Sequence, residues 1–173
     1  MILTADYLKM LLCYDSETGI FTRRVDVVCG KGAVRFKAGT AAGGLDSQGY
    51  WRIMINGKDY SAHRLAWLHV FGVWPERQID HINENKSDNR LENLRLATQS
   101  ENSSNRGAQK NNTSGFKGVV WHKHKKKWMA QIRAGGKQKY LGLFSSAESA
   151  YAAYCESASD LHGDFANTGT VMR

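Results

Sequence analysis

The sequence contains no apolar run approaching the roughly 20 residues that cross a bilayer, and its first residues, MILTADYLKM, lack a basic segment followed by a small-residue cleavage site. These absences leave neither a spanning helix nor a secretory signal to expect, and they point to the cytoplasm. Cysteine is scarce: Cys13, Cys29 and Cys155 are too few and too scattered for a disulfide framework, and none forms a C-x-x-C pair. All three are therefore expected to pack as ordinary side chains. There is no internal repeat and no low-complexity tract. One stretch also lacks acids altogether. Between Asn102 and Ala147 no Asp or Glu occurs, while Arg106, Lys110, Lys117, Lys123, Lys125, Lys126, Lys127, Arg133, Lys137 and Lys139 all fall inside it. With a formal charge of +8, this footprint implies a polyanionic partner. Nucleic acid fits better than a membrane surface, because no lipidation motif or basic amphipathic helix accompanies the charge.

A chain of 173 residues is large enough for two or three small modules and too small for a large core in any of them. The pattern is α+β. A β-rich lead-in covers residues 1–60, with a short helix from Ala5 to Cys13 and strand-like pieces near 19–24, 33–37 and 50–55. Asn56-Gly57, set between two alternating runs, marks a hairpin. From Ala62 the apolar spacing becomes helical until Gly72, opening a module that spans 61–106. Residues 107–115, rich in turn formers, read as a linker. In 116–169, three strand candidates near 117–122, 127–134 and 139–144 precede an Ala-rich helix capped near Ser146.

The segment Ile79 to Arg106, IDHINENKSDNRLENLRLATQSENSSNR, places Asp80-His81 at a strand end, a polar loop after it, LRLAT as a return strand, and Thr98-x-x-Glu101 as a capping box opening a helix that carries Asn102. Phosphodiester hydrolysis calls for a Lewis acid and a base for the attacking water. Asp80 and Asn102 offer hard oxygen donors suited to Mg²⁺ or Mn²⁺, and the His81 imidazole suits proton transfer near neutrality. The plainer readings make Asn83, Asn85, Asn89 and Asn93 turn chemistry, His63 and His69 packed structural histidines, and Asp88 and Glu92 loop caps or solvated acids. Glu84 is the nearest alternative for an indirect role.

This segment resembles the HNH, or ββα-metal, nuclease motif of phage and intron-encoded homing endonucleases. In that subfamily an Asn follows the His by twelve residues and a second Asn by nine more, matching Asn93 and Asn102. The resemblance extends to His63-Arg64-Leu65-Ala66 and to the DNRLENLRLAT run. It implies that Asp80 and Asn102 ligate one divalent ion, Mg²⁺ or Mn²⁺, that His81 is the general base, and that Asn93 braces the loop and the His81 ring. Products with 3′-hydroxyl and 5′-phosphate ends are implied as well. Colicin-type members carry His at the positions of Asn102 and Arg106, so two-His zinc binding is not expected, and Arg106 is suited to clamp a phosphate.

In the back part, alternation puts Val119, Trp121, Trp128, Ala130, Ile132 and Leu141 on a face toward the helix, with both tryptophans in the core. The other face shows His122, Lys127, Gln131, Arg133, Lys139 and Tyr140, a mixture able to reach phosphates and base edges. Residues 115–169 resemble the APETALA or ethylene-response-factor type of DNA-binding domain through Gly118-Val119, Trp128, Ala130, Ile132-Arg133, Tyr140-Leu141-Gly142, Phe144, Glu148-Ser149-Ala150, Tyr154, Gly163 and Asn167. The resemblance implies that the sheet enters the major groove, adding Lys117 to the candidate contacts. Val120 and His122 stand where plant members have Arg, so plant target sequences do not carry over. The expectation is a DNA endonuclease acting on double-stranded DNA as a monomer or homodimer. Its rival is a non-catalytic DNA-binding regulator that keeps the HNH fold as scaffold.

Overall fold

The computed structural model describes residues 2–28, 32–108 and 112–169. Cys29, Lys110 and the middle of the 107–115 linker lie outside them. The fold is α+β with small sheets of two or three strands, and the chain divides into two compact units, Met1–Leu96 and Ala97–Arg173. No helix among the described residues is long and apolar enough to cross a membrane.

In the first unit, helix α1 (Ala5–Leu11) starts where the Thr4 side chain accepts from Tyr7 N. It runs directly into β1 (Leu12–Tyr14), which pairs antiparallel with β2 (Phe21–Arg23). Leu12 and Tyr14 face inward, which turns Cys13 outward. The packed role expected for Cys13 is thus corrected: strand alternation exposes it. A small hairpin, β3 (Val27–Val28) with β4 (Val34–Phe36), precedes the three-stranded sheet β5 (Gly44–Leu45), β6 (Trp51–Ile55) and β7 (Lys58–Ser61). Asn56 and Gly57 both adopt positive φ, 48° and 75°, the requirement of the tight turn that matches strand twist. Helix α2 (Ala62–Phe71) follows and ends at Gly72 in the left-handed region. Leu65, Ala66 and Leu68 face the core, whereas Val70 and Phe71 are exposed. Strands β8 (Gln78–His81) and β9 (Leu94–Ala97) then form a two-stranded sheet.

One apolar cluster ties this unit together. Leu3, Leu8, Leu12, Phe21, Ile53, Ile55, Leu65, Leu68, Ile79 and Leu94 belong to it, with Trp51, Trp67 and Trp74 at its edge. The lead-in and the β8–β9 segment therefore share a core, and burial of the first stabilises the second. Gly19 shows how closely they approach: a Cβ there would sit 2.5 Å from both Arg90 N and the Asn89 carbonyl carbon. Only glycine meets that spacing at φ +73°.

The second unit begins with α3 (Gln99–Ser104), opened by the complete Thr98–Glu101 capping box. Strands β10 (Val119–His122), β11 (Lys127–Ala134) and β12 (Lys137–Phe144) make an antiparallel sheet in chain order. A bulge at Ala130/Gln131 shifts the β11–β12 register. Helix α4 (Ala147–His162), capped by the Ser146 side chain on Ser149 N, buries Ala150, Tyr154 and Ala158 against Val119, Ala130 and Ile132. Gly118 is required here because a Cβ would lie 2.1 Å from the Tyr154 ring. Trp121 departs from expectation. It is 45% exposed and stacks edge-on against Trp128 at 5.0 Å, because it lies next to the lysine-rich turn at the end of the hairpin. Cys155 is half-buried beside Ile132 and Tyr154.

Candidate active site

Strand β8 carries the polar pair into the protein: Ile79 joins the core, and Asp80 and His81 are 4% and 5% exposed. A carboxylate buried to this degree is costly unless compensated. The compensation is Arg95 on β9, whose Nε and Nη2 both donate to Asp80 Oδ2, at 2.9 and 2.8 Å. Sequence reasoning passed over Arg95. A lone cation in an otherwise apolar return strand was the available signal.

His81 Nε2 lies 3.3 Å from Asn89 Oδ1, and Asn89 Nδ2 donates to Ser87 O at 3.1 Å. With the amide nitrogen on Ser87, the oxygen facing the imidazole can only accept, so Nε2 carries the hydrogen and Nδ1 the lone pair of the neutral ring. Burial pushes the His81 pKa down, opposed by the Asn89 bond and by the charges of Asp80 and Asp88. A neutral imidazole with Nδ1 basic is the form a general base needs.

The loop between the strands is held by its own polar side chains. Asn93 Nδ2 donates to Asp88 O at 2.8 Å, Asn93 Oδ1 accepts from Asn83 N at 3.0 Å, and Ile82 N donates to Asn93 O at 2.9 Å. Asn93 thus bonds the loop backbone on both sides, while the His81 ring is bonded by Asn89. That residue had read as turn chemistry. Asp88 accepts from Asn83 Nδ2 and from Arg90, whose guanidinium holds its carboxyl at about 2. Glu92 is exposed and pairs with Arg90, and Glu84 sits exposed at a turn with φ 62°.

The lead-in reaches this loop from the other side. Buried Tyr14 donates its hydroxyl to Asn89 O at 2.7 Å, and Leu91 N donates to Ser16 O at 3.0 Å. Burial, with Asp15 and Asp88, pushes the Tyr14 pKa up to about 12, so the phenol remains a donor. The two histidines of α2 differ. His69 packs against the Tyr14 and Phe21 rings at 5.8 and 6.2 Å. His63 stands 5.1 Å from the His81 ring, near perpendicular to it, and 5.6 Å from Tyr50. Its Nδ1 is buried without a hydrogen-bond partner, and burial pulls its pKa down to about 3.

Asn102 is carried on α3 of the second unit, one residue after the capping-box Glu101. The end of α3 is tied down within that unit: Lys117 Nζ donates to Ser104 O at 2.8 Å and to Asn167 O at 2.7 Å, and Asn167 Nδ2 donates to Asn105 O at 2.7 Å. Lys117, expected on DNA, thus has a structural duty. Arg106, Lys117, Gln131 and Arg133 also line a concavity of about 630 Å³. On the sheet face Lys127, Arg133, Lys139 and Tyr140 are exposed, Tyr140 by 59%. His122 is half-buried and its Nδ1 accepts from Lys125 N at 3.3 Å.

Among the described residues no group of three or more His, Cys, Asp or Glu could hold a metal ion. The Asp80 carboxylate in the first unit and the Asn102 amide in the second each carry a hard oxygen, the donor type that Mg²⁺ or Mn²⁺ accepts.

Residues 60–104 match the family model described as HNH endonuclease. Over 105 residues the chain is 41% identical to Protein 3.8 of Escherichia phage T7, an alignment spanning 60% of this chain and 86% of that protein. This chain belongs to the family of Protein 3.8 and carries an HNH endonuclease domain. The matched span contains Asp80, His81, Asn93, Arg95 and Asn102. A solved structure described as "DNA binding and cleavage by the HNH homing endonuclease I-HmuI" aligns with 85% of this chain and 76% of that chain, at 21% identity and a TM-score of 0.38. Likeness at that level carries no argument. Within the HNH domain, the residues with clear chemical capacity are the buried Asp80–Arg95 pair and the His81–Asn89 pair.

Proposed function

We propose that the protein is a divalent-metal-dependent endonuclease that hydrolyses phosphodiester bonds of double-stranded DNA, leaving 3′-hydroxyl and 5′-phosphate ends. The observation that carries this reading is the His81–Asn89 hydrogen bond beside a buried carboxylate inside an HNH domain. In this reading His81 Nδ1 takes the proton of the attacking water, while Asn89 fixes the ring and its tautomer. Asp80 and Asn102 would hold Mg²⁺ or Mn²⁺, which supplies Lewis-acid stabilisation of the charge that develops on the leaving oxygen. Asn93 braces the loop and does not touch reacting atoms.

DNA is held by the second unit, whose APETALA-like sheet face offers His122, Lys127, Gln131, Arg133, Lys139 and Tyr140, with Arg106 and Lys117 near its edge. One base with one metal cuts one strand, so a monomer nicks, and a double-strand break needs a homodimer or a second event. The test is incubation with supercoiled plasmid in Mg²⁺ or Mn²⁺, with and without a chelator. Relaxed circles that form only with free metal support the nuclease. A wild type that retards DNA in a gel yet leaves it supercoiled in both metals hands the reading to the regulator.

A further inference from the structure

Asp80 is at once the most buried acid of the HNH domain, at 4% exposure, and the partner of the least exposed arginine of its salt bridges, with the Arg95 side chain 17% exposed. Arg95 directs two nitrogens, Nε and Nη2, onto one carboxylate oxygen, Oδ2. Two donors from one planar group on one oxygen fix the carboxylate rotamer as well as neutralise it. The arrangement has two consequences. The carboxylate is paired and oriented before any metal arrives, and any dication bound by Asp80 shares its ligand with a permanent cation. Coulomb repulsion over a few ångströms in a partly desolvated site is substantial, so Arg95 opposes metal retention while it preorganises the ligand.

We propose that Arg95 is a positioning residue that sets the metal affinity of the HNH site, holding it low in the protein alone so that tight retention of the ion depends on the negative charge of bound DNA. This inference rests on the reading of Asp80 as a metal ligand. DNA phosphates would offset the guanidinium charge locally, and metal and DNA should then bind with positive coupling. A guanidinium that served only to stabilise the fold would leave metal affinity unmoved when replaced by a residue that preserves folding.

The experiment is Mn²⁺ binding measured by electron paramagnetic resonance of the free ion, on the full chain without DNA, for wild type, Arg95→Gln and Arg95→Lys. Gln keeps an N–H donor and removes the charge; Lys keeps the charge and loses the fork. Circular dichroism establishes that each variant is folded, and Lys, which leaves Asp80 paired, serves where Gln does not fold. Arg95→Gln should bind Mn²⁺ roughly tenfold more tightly than wild type, an estimate from removing one like charge near the site, and Arg95→Lys should stay close to wild type. The same titration with a DNA duplex, in a His81→Ala background that prevents cutting, should tighten Mn²⁺ binding more in the Arg95 protein than in Arg95→Gln. If wild type binds Mn²⁺ and Arg95→Gln binds it no more tightly, the affinity-setting role is overturned while the metal site stands. If Arg95→Lys alone folds, affinity weakened or tightened severalfold by Lys overturns charge as the determinant. If neither wild type nor any variant binds Mn²⁺ with or without DNA, the metal-ligand reading of Asp80 fails and this inference with it.

Discussion

The two units treat polar side chains in opposite ways. In Met1–Leu96 the groups of chemical interest are buried and already engaged: Asp80 with Arg95, His81 with Asn89, Asn93 with the loop backbone. In Ala97–Arg173 the candidate DNA contacts are mostly on the surface, and the core beneath them is Val119, Ala130, Ile132, Ala150 and Tyr154. Chemistry at a phosphodiester needs groups held in one geometry away from bulk water, and desolvation makes each of them depend on a partner. Attraction to a duplex needs only charge at the surface, which solvent accommodates at little cost to folding. Substitutions in the first unit should therefore change stability and function together, and those on the sheet face should separate them.

The largest effect is expected at Arg95. Replacement by Ala strands the Asp80 carboxylate and should destabilise the fold by about 3–5 kcal/mol in urea denaturation. Adding Asp80→Asn should recover much of that loss, and strict additivity of the two changes would dissociate the pair energetically. His63 comes next, through pH. Its folded pKa of about 3 lies below the ordinary 6.5, so the unfolded chain binds the extra proton between those values and stability falls as pH drops from about 6.5 toward 3. His63→Phe, which removes that proton site, should flatten the decline in a series of thermal melts. An unchanged slope would mean that His63 titrates freely. Gly19→Ala should cost about 1–3 kcal/mol through strain at a positive φ and collision with the Asn89–Arg90 backbone, and should also broaden the His81 imidazole resonances. The smallest effect on folding belongs to Arg133→Ala on the exposed sheet face. Unfolding free energy should move by less than about 0.5 kcal/mol, while DNA binding weakens by about 1–3 kcal/mol in a salt-dependent gel-shift series. Undiminished affinity there would remove the sheet-face contact.

Local elements were legible in the sequence because they depend on neighbours in the chain. The Asn56-Gly57 turn, the Gly72 stop, the Thr98–Glu101 box and the Ser146 cap all appear where short-range stereochemistry puts them. The Asp80-His81 strand end was equally visible, since an apolar residue leads into the polar pair at the end of a short strand. What was missed required distant partners. Asn89 could not be distinguished from its Asn-rich surroundings until the loop curled back on His81, and Arg95 acquired its importance only from the pairing of β8 with β9. Tyr14 and Gly19 brace the same loop from more than sixty residues away in sequence, which no periodicity reveals. Trp121 shows the converse: its alternation placed it inward, but its place beside the turn at the hairpin end left it exposed.

The central claim is that His81 is the base of a DNA-cutting HNH site, and it is tested most directly by comparing wild type with His81→Ala on one labelled duplex. The comparison is made under single-turnover conditions in Mg²⁺, with DNA affinity measured in parallel. Wild type should cut one strand to give 5′-phosphate and 3′-hydroxyl ends, and His81→Ala should bind the duplex equally well while cutting at least about a hundredfold more slowly. Equal cutting by both proteins, or none by wild type with DNA fully bound, would contradict it.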